Sequence, residues 1–128
     1  MTPQLDLSGF TEWRDAASSS APAGLPSSVS AGLPLVIDVR EPWELQTACV
    51  KPDGFTLLHI PMREVAQRIA ELRDTYGTAH PIACLCHHGM RSMQVANFLA
   101  QNGFTEVVNL QGGIAAWSTQ VDAGVPLY

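Results

Sequence analysis

Short apolar runs alternate with stretches of helical periodicity along most of this chain. Four compact runs, rich in aliphatic and β-branched residues, end at Val39, Ile60, Leu85 and Leu110. Such runs are typical of strands buried in a sheet. Apolar residues at helical spacing predict a helix over 63–76, and proline or glycine at helix ends indicates further helices at 41–48, 92–102 and 114–121. This alternation predicts an α/β fold in which helices cover both faces of a parallel sheet.

The first quarter of the chain has a different character. Leu5–Leu7 is predicted to form a short edge strand, and Ser8 is placed to cap a helix that ends near Ala17. Residues 16–34 are rich in serine, proline and glycine, which is the composition of a flexible linker. We expect a mobile surface loop there, inserted in a single domain that spans 1–128.

Composition and charge exclude several classes of partner. The formal net charge of −5, without any basic run, argues against nucleic acid and anionic membranes. Three cysteines, two of them a single residue apart, do not resemble a disulfide framework. Neither a secretory leader nor an apolar stretch long enough to cross a bilayer is visible, so we expect a soluble cytoplasmic protein.

The candidate chemistry centres on Cys86, where an apolar run stops. A short loop containing Gly89 follows, then Arg91, and a helix is predicted to begin at Ser92. Loop N–H groups that point inward, together with the positive end of a helix, form an anion site and favour a nucleophilic thiolate. Because ligands of parallel sheets bind beyond the carboxyl ends of the strands, Arg40 is expected at the same edge. The order predicts covalent catalysis at Cys86.

The charged residues near this edge each have two interpretations. Arg40 can contact an anion, or it can form an ion pair with Glu44 one helical turn later. Arg91 can bind the same anion or hold the loop backbone through its guanidinium donors. Asp38, at the end of the preceding run, is interpreted as an acceptor for backbone N–H groups rather than as a catalytic base.

Two adjacent histidines, His87 and His88, raise the question of a metal site. Together with Cys84 and Cys86 they offer ligand atoms, but the spacing does not match common zinc modules. No metal or other cofactor is therefore expected. His87 can favour the Cys86 thiolate when it is protonated, or it can simply fill the rim of the loop. Cys84 is interpreted as a core residue, with a redox role left open.

Several motifs together carry a family resemblance. In chain order they are 35–44 (LVIDVREPWE), 59–62 (HIPM), 86–92 (CHHGMRS), 102–104 (NGF) and 109–117 (NLQGGIAAW). The chain resembles the single-domain rhodanese family of sulfurtransferases. The resemblance implies a sheet of about five strands, a catalytic Cys86 in a loop cradle, and Arg40 and Arg91 near the substrate anion. Residues 47–55 depart from the family's usual pattern, which leaves the pocket rim and the acceptor open.

The resemblance implies a reaction through a persulfide on Cys86. Sulfane sulfur would pass from thiosulfate or a persulfide donor to a thiol or cyanide. The expected substrate-binding residues are Arg40, Arg91, His87, His88, Gly89 and Met90, and the expected structural supports are Asp38, Glu44 and Ser92.

Two alternatives to this reaction remain. One is a sulfur carrier or regulatory module, which would act with a sulfur-relay protein. The other is a phosphatase or arsenate reductase type of enzyme. Four residues separate Cys86 from Arg91, one fewer than in phosphatase-type loops, which disfavours that second alternative.

Overall fold

A computed structural model describes residues 3–6, 9–19, 33–51, 54–122 and 124–125. The strands are β1 Gln4–Leu5, β2 Leu35–Asp38, β3 Thr56–His59, β4 Ile82–Leu85 and β5 Val107–Leu110. The helices are α1 Phe10–Ser19, α2 Pro42–Thr47, α3 Val65–Tyr76, α4 Met90–Gln101 and α5 Gly113–Gln120, with a 3-10 turn at Met62–Glu64.

The strands form one five-stranded parallel sheet in the order β1-β5-β4-β2-β3. This confirms the predicted α/β class, and β1 is the edge strand that the sequence indicated, one residue earlier than expected. The prediction of a core strand at 56–60 is wrong in one respect. β3 lies at the opposite edge, and all four of its residues are only half-buried.

Successive residues of the central strands belong to two separate hydrophobic cores, one on each face of the sheet. One core contains Ile37 and Cys84 and packs against α3 and α4. The other contains Val36 and Ala83 and packs against α1 and α5. Since neighbouring residues of a strand point to opposite faces, helices cover both faces of this sheet, as predicted.

One shift of a helix boundary falls beside the candidate site. Helix α4 begins at Met90 rather than at Ser92, because Gly89 takes a left-handed conformation and serves as the N-cap. Met90 and Arg91 therefore lie in the first helical turn instead of in the loop, and Ser92 is the third helical residue. At the other end of the chain, α1 extends to Ser19, two residues past its expected end.

Some predictions fall outside the described residues. These are the strand residue Leu7, the capping role of Ser8 and the loop character of 20–32. Among the described residues, no helix has both the length and the apolar character needed to cross a membrane.

Candidate active site

Cys86 follows β4 directly and is 1% exposed. Its Sγ accepts a hydrogen bond from the N–H of Gly89 at 3.0 Å and lies 3.3 Å from the hydroxyl of Ser92. β4 is the middle strand of the sheet, with two strands on either side. The thiol thus lies at the carboxyl edge of the sheet, where the chain order places it and where parallel sheets hold their ligands.

The loop after Cys86 is shaped by the start of helix α5. The N–H of Ile114 donates to the carbonyl of Cys86 at 2.8 Å, and the N–H of Ala115 donates to that of His87 at 3.1 Å. The first N–H groups of a helix have no partner within it, so α5 offers them to the loop. These bonds hold both carbonyls on the α5 side, away from the sulfur, which accepts from the Gly89 N–H.

Two glycines make this close approach possible. A Cβ on Gly113 would lie only 2.3 Å from the carbonyl oxygen of Cys86 and 2.5 Å from that of His87. Gly89 has a φ of +102°, and a Cβ there would lie 3.1 Å from the backbone nitrogen of Gly112. A side chain at Gly113 would clash with the loop backbone, and one at Gly89 would be both strained and tightly packed.

Helix α4 directs its N-terminus toward the loop that holds the sulfur. It has 12 residues and starts immediately after Gly89. The N–H groups of its first turn lack helical acceptors, and the helix dipole adds partial positive charge there. The site can therefore hold a small anion or an anionic sulfur, although the chain as a whole is acidic.

Arg91 ties this loop to helix α2. Its guanidinium forms a bidentate ion pair with Glu44, with Nη1 to Oε1 at 2.6 Å and Nη2 to Oε2 at 2.9 Å. Glu44 is 4% exposed, whereas the Arg91 side chain is 37% exposed. Glu44 also accepts from the N–H of Glu41 in a capping box at the start of α2. Arg91 thus has a structural role and keeps an open side toward solvent.

Arg40 occupies a different environment from the one expected. Its side chain is fully buried, and Nε and Nη2 donate to the two carboxylate oxygens of Asp38 at 2.9 and 2.7 Å. Nη1 and Nη2 also donate to the carbonyls of Glu44 and Ala48. Instead of the ion pair that the sequence offered, Arg40 thus makes a hydrogen bond to the backbone carbonyl of Glu44. This burial favours the structural role of Arg40 and does not support direct contact with a substrate anion.

The rim of the loop combines imidazole rings and an exposed thioether. His87 is half-buried and His88 exposed, and their rings stack with centroids 3.9 Å apart. Met90 is 77% exposed. Trp43, at the start of α2, and Met62, just after β3, are also exposed, at 61% and 37%. The carboxyl edge of the sheet therefore presents both polar and apolar groups to an incoming molecule.

The sequence interpretation missed one polar residue of the site. Asn109 is fully buried on β5, and its Oδ1 lies 2.5 Å from the hydroxyl of Ser92. Its Nδ2 lies 3.0 Å from both the carbonyl of Gly89 and the side-chain oxygen of Gln4. An asparagine within the apolar run 107–110 was the available signal, since buried polar side chains are normally hydrogen-bonded.

The other two cysteines lie in less favourable surroundings for a thiolate. Burial, reinforced by the neighbouring Cys86, raises the pKa of Cys84 to about 12. Burial and the Asp38 carboxylate raise the pKa of Cys49, against the lowering effect of Arg40. A thiol with a raised pKa is rarely ionised at neutral pH, so neither residue is a favoured nucleophile.

Possible metal ligands do not gather in the described part of the chain, where no three histidine, cysteine or acidic side chains cluster in a way that could hold a metal ion. The feature that the site offers instead is the sulfur of Cys86, with the Gly89 N–H and the Ser92 hydroxyl in hydrogen-bond range of it.

The fold and the site together define a class: a parallel α/β domain with a cysteine cradled between a strand and a helix N-terminus. The chain belongs to the family of rhodanese-like domains, whose family model matches residues 22–120. A solved structure of a rhodanese-related protein from Thermoplasma volcanium has a TM-score of 0.68 at 25% identity, covering 98% of this chain and 99% of that one.

Curated relatives include sulfurtransferases. A sulfurtransferase of Allochromatium vinosum is 32% identical over 93 residues, which are 73% of this chain and 77% of the relative. A thiosulfate sulfurtransferase of Actinobacillus succinogenes, GlpE, is 38% identical over 61 residues, which are 48% of this chain and 52% of the relative. This chain spans from 30% to 64% of the length of three curated relatives that it matches.

Proposed function

We propose that this protein is a sulfurtransferase that carries sulfane sulfur as a persulfide on Cys86. The observation that supports this most directly is the position of Sγ at the carboxyl end of β4, with the Gly89 N–H donating to it at 3.0 Å. The family's sulfurtransferase members agree with that chemistry. A thiosulfate sulfurtransferase among the relatives supports thiosulfate as one donor.

The reaction is a double displacement at sulfur. The Cys86 thiolate attacks the outer sulfur of thiosulfate, the sulfur–sulfur bond of the donor breaks, and sulfite leaves with the bonding electron pair. The persulfide then holds its negative charge on the outer sulfur. An acceptor thiolate or cyanide attacks that sulfur, and the Cys86 thiolate leaves with the electron pair of the bond that breaks.

The geometry of the loop suits the charge that develops in both steps. Helix α5 holds the carbonyls of Cys86 and His87 through its first N–H groups, and the Gly89 N–H donates to the sulfur. Preorganised donors of this kind stabilise developing negative charge without reorganisation. Arg91 is held beside the loop by its ion pair with Glu44, and its side chain is 37% exposed to an incoming anion. A small sulfur-donor anion is thus the favoured substrate class.

Intact-protein mass after incubation with thiosulfate tests the proposal. We expect a gain of one sulfur atom, mapped to the peptide that contains Cys86 and removed by later addition of cyanide. The same experiment on Cys86→Ser should show no gain, because a serine hydroxyl forms no persulfide. A gain that survives in this variant would contradict the proposal.

Cys49→Ser is the matched control, because it makes the same chemical change at a half-buried cysteine whose pKa is raised. It should keep the full sulfur gain. Folded wild-type protein that gains no sulfur from either thiosulfate or an organic persulfide would refute sulfur transfer. Hydrolysis of a phosphate ester by that same protein would then favour the phosphatase alternative.

A further inference from the structure

Three polar side chains form a connected hydrogen-bond chain behind the candidate nucleophile. The hydroxyl of Ser92 lies 3.3 Å from Cys86 Sγ and 2.5 Å from Asn109 Oδ1. A hydroxyl has a single proton to donate, so it can serve only one of these two acceptors at a time. Which acceptor receives the proton determines whether Ser92 supports the thiol or the thiolate form of Cys86.

The orientation of the Asn109 amide settles this choice. Its nitrogen lies 3.0 Å from the carbonyl oxygen of Gly89, a group that can only accept. A flipped amide would place two oxygens against each other there. Oδ1 must therefore face Ser92, and as an acceptor it takes the proton of that hydroxyl. The lone pairs of Ser92 are then left toward the sulfur.

We infer that Asn109 is a positioning residue that withholds the Ser92 proton from Cys86. In the thiol form, the S–H of Cys86 can donate to the Ser92 hydroxyl, which in turn donates to Asn109, so each of these groups has a hydrogen-bond partner. In the thiolate form, Ser92 must turn away from Asn109 before it can donate to the sulfur. Asn109 thus acts against the free thiolate, although it does not touch the sulfur itself.

This inference rests on the proposed function for its consequence in turnover. In a persulfide, the inner sulfur carries no proton and no full charge, so Ser92 keeps its bond to Asn109 without competition. Asn109 therefore favours the sulfur-loaded protein over the free thiolate. Its loss should make Cys86 a better leaving group, so that transfer to the acceptor becomes faster relative to loading.

The charged and titratable groups around Cys86 remain the same in the variants that test this. They are the ion pairs Arg40–Asp38 and Arg91–Glu44, the loop residues His87 and His88, and Cys84 on β4. Because the test changes only uncharged side chains, any shift in the behaviour of the sulfur reflects hydrogen bonding rather than a lost charge.

The experiment is the rate of alkylation by iodoacetamide at Cys86, measured across pH by peptide mass. It is carried out on wild type, Asn109→Ala, Ser92→Ala and the double variant. In Asn109→Ala the freed hydroxyl can donate to the thiolate. The midpoint of the pH profile should then move to lower pH by about one unit, the size expected for one further hydrogen bond to a charged sulfur.

The double variant separates this effect from general loosening of the site. Without the Ser92 hydroxyl, the change at Asn109 has no proton to release, so the shift should vanish in the Ser92→Ala background. A shift that persists there, or a midpoint for folded Asn109→Ala that does not fall, would overturn the inference. Since alkylation does not require sulfur transfer, this result is independent of whether the protein gains sulfur from thiosulfate.

Asn109 is buried, and its loss removes the hydrogen bonds to Gly89 and Gln4, which lowers stability. The single variant Ser92→Ala therefore provides a second, independent test. If Ser92 already donated to the thiolate, its removal would move the midpoint to higher pH, and the inference would fail. If Asn109 holds the proton, removal of the hydroxyl leaves the midpoint unchanged or lowers it, which supports the inference even if Asn109→Ala does not fold.

Discussion

Substitution of Gly113 by alanine tests whether the start of α5 shapes the loop after Cys86. Gly113 has a φ of +59°, a conformation that costs an alanine about 1–2 kcal/mol. Its new Cβ would lie 2.3 Å from the carbonyl oxygen of Cys86 and 2.5 Å from that of His87, so the loop must move away.

Such a movement would stretch the two hydrogen bonds that α5 makes to the loop. They join the N–H of Ile114 to Cys86 at 2.8 Å and the N–H of Ala115 to His87 at 3.1 Å. Each contributes about 0.5–1.5 kcal/mol, so the full cost of Gly113→Ala is about 2–5 kcal/mol with the backbone strain included. A domain with ordinary stability of about 5–15 kcal/mol should still fold with this change.

Gly103→Ala is the matched control for the backbone strain. Gly103 has a φ of +95°, but nothing lies within 4 Å of the position that its Cβ would take. We expect it to lower the free energy of unfolding by about 1–2 kcal/mol and to leave the site intact. The difference between the two variants in urea unfolding then measures the steric displacement of the loop alone.

The functional assay is the initial rate at which Cys86 gains sulfur from thiosulfate. Displacing the loop in Gly113→Ala moves the Gly89 N–H away from the sulfur, and loss of a preorganised donor costs at least about ten-fold in rate. Gly103→Ala should load at the wild-type rate. Equal stability losses and equal loading rates for the two variants would refute the role given to the start of α5.

Three further predictions concern charged and titratable residues. Arg40→Met should lower the free energy of unfolding by about 3–5 kcal/mol in a urea titration, because it leaves the buried Asp38 carboxylate without its bidentate partner. Adding Asp38→Asn to this variant should restore part of the lost free energy. Glu44→Gln should lower the free energy of unfolding by about 1–3 kcal/mol and slow sulfur loading, because Arg91 loses its ion-pair partner. An unchanged loading rate would contradict a role of this ion pair in holding the loop. Burial lowers the pKa of His80 below its ordinary 6.5, so the unfolded chain takes up this proton more readily than the folded one. The contribution of His80 to the free energy of unfolding is therefore greatest above pH 6.5 and declines as the pH falls below it. His80→Gln should lack this decline, and an identical pH profile in urea unfolding would refute the assignment.

The sequence predicted the sheet well because its apolar runs are short and unambiguous. The runs at 35–39 and 82–85 recur as β2 and β4, both fully buried, since the central strands of a parallel sheet are apolar on both faces. The run at 56–60 looks the same in sequence, but it forms an edge strand. Which apolar run lies at an edge depends on the order of the strands, and local composition carries no information about that order.

The candidate site was only partly predictable for a related reason. The position of Cys86 follows from local order alone, because strand, loop and helix are consecutive in the chain. Arg40 illustrates the limit: its distance from Glu44 in sequence favours a helical ion pair, whereas the fold gives its guanidinium to Asp38, two residues earlier. When a guanidinium and a carboxylate are buried together, they pair with each other even where the sequence spacing favours a different partner one helical turn away.

Gly113 and Asn109 show what lay beyond local interpretation. Each acts on Cys86 across a gap of more than twenty positions in the sequence, one by letting α5 bind the loop carbonyls and the other through Ser92. Both lie at or just beyond β5, which pairs in parallel with β4. The carboxyl ends of two adjacent parallel strands necessarily bring their following loops together. The end of β5 and the residues after it are therefore the first place to search for groups that act on a cysteine placed after β4, and substitutions there should alter its reactivity more than equally distant changes after β3.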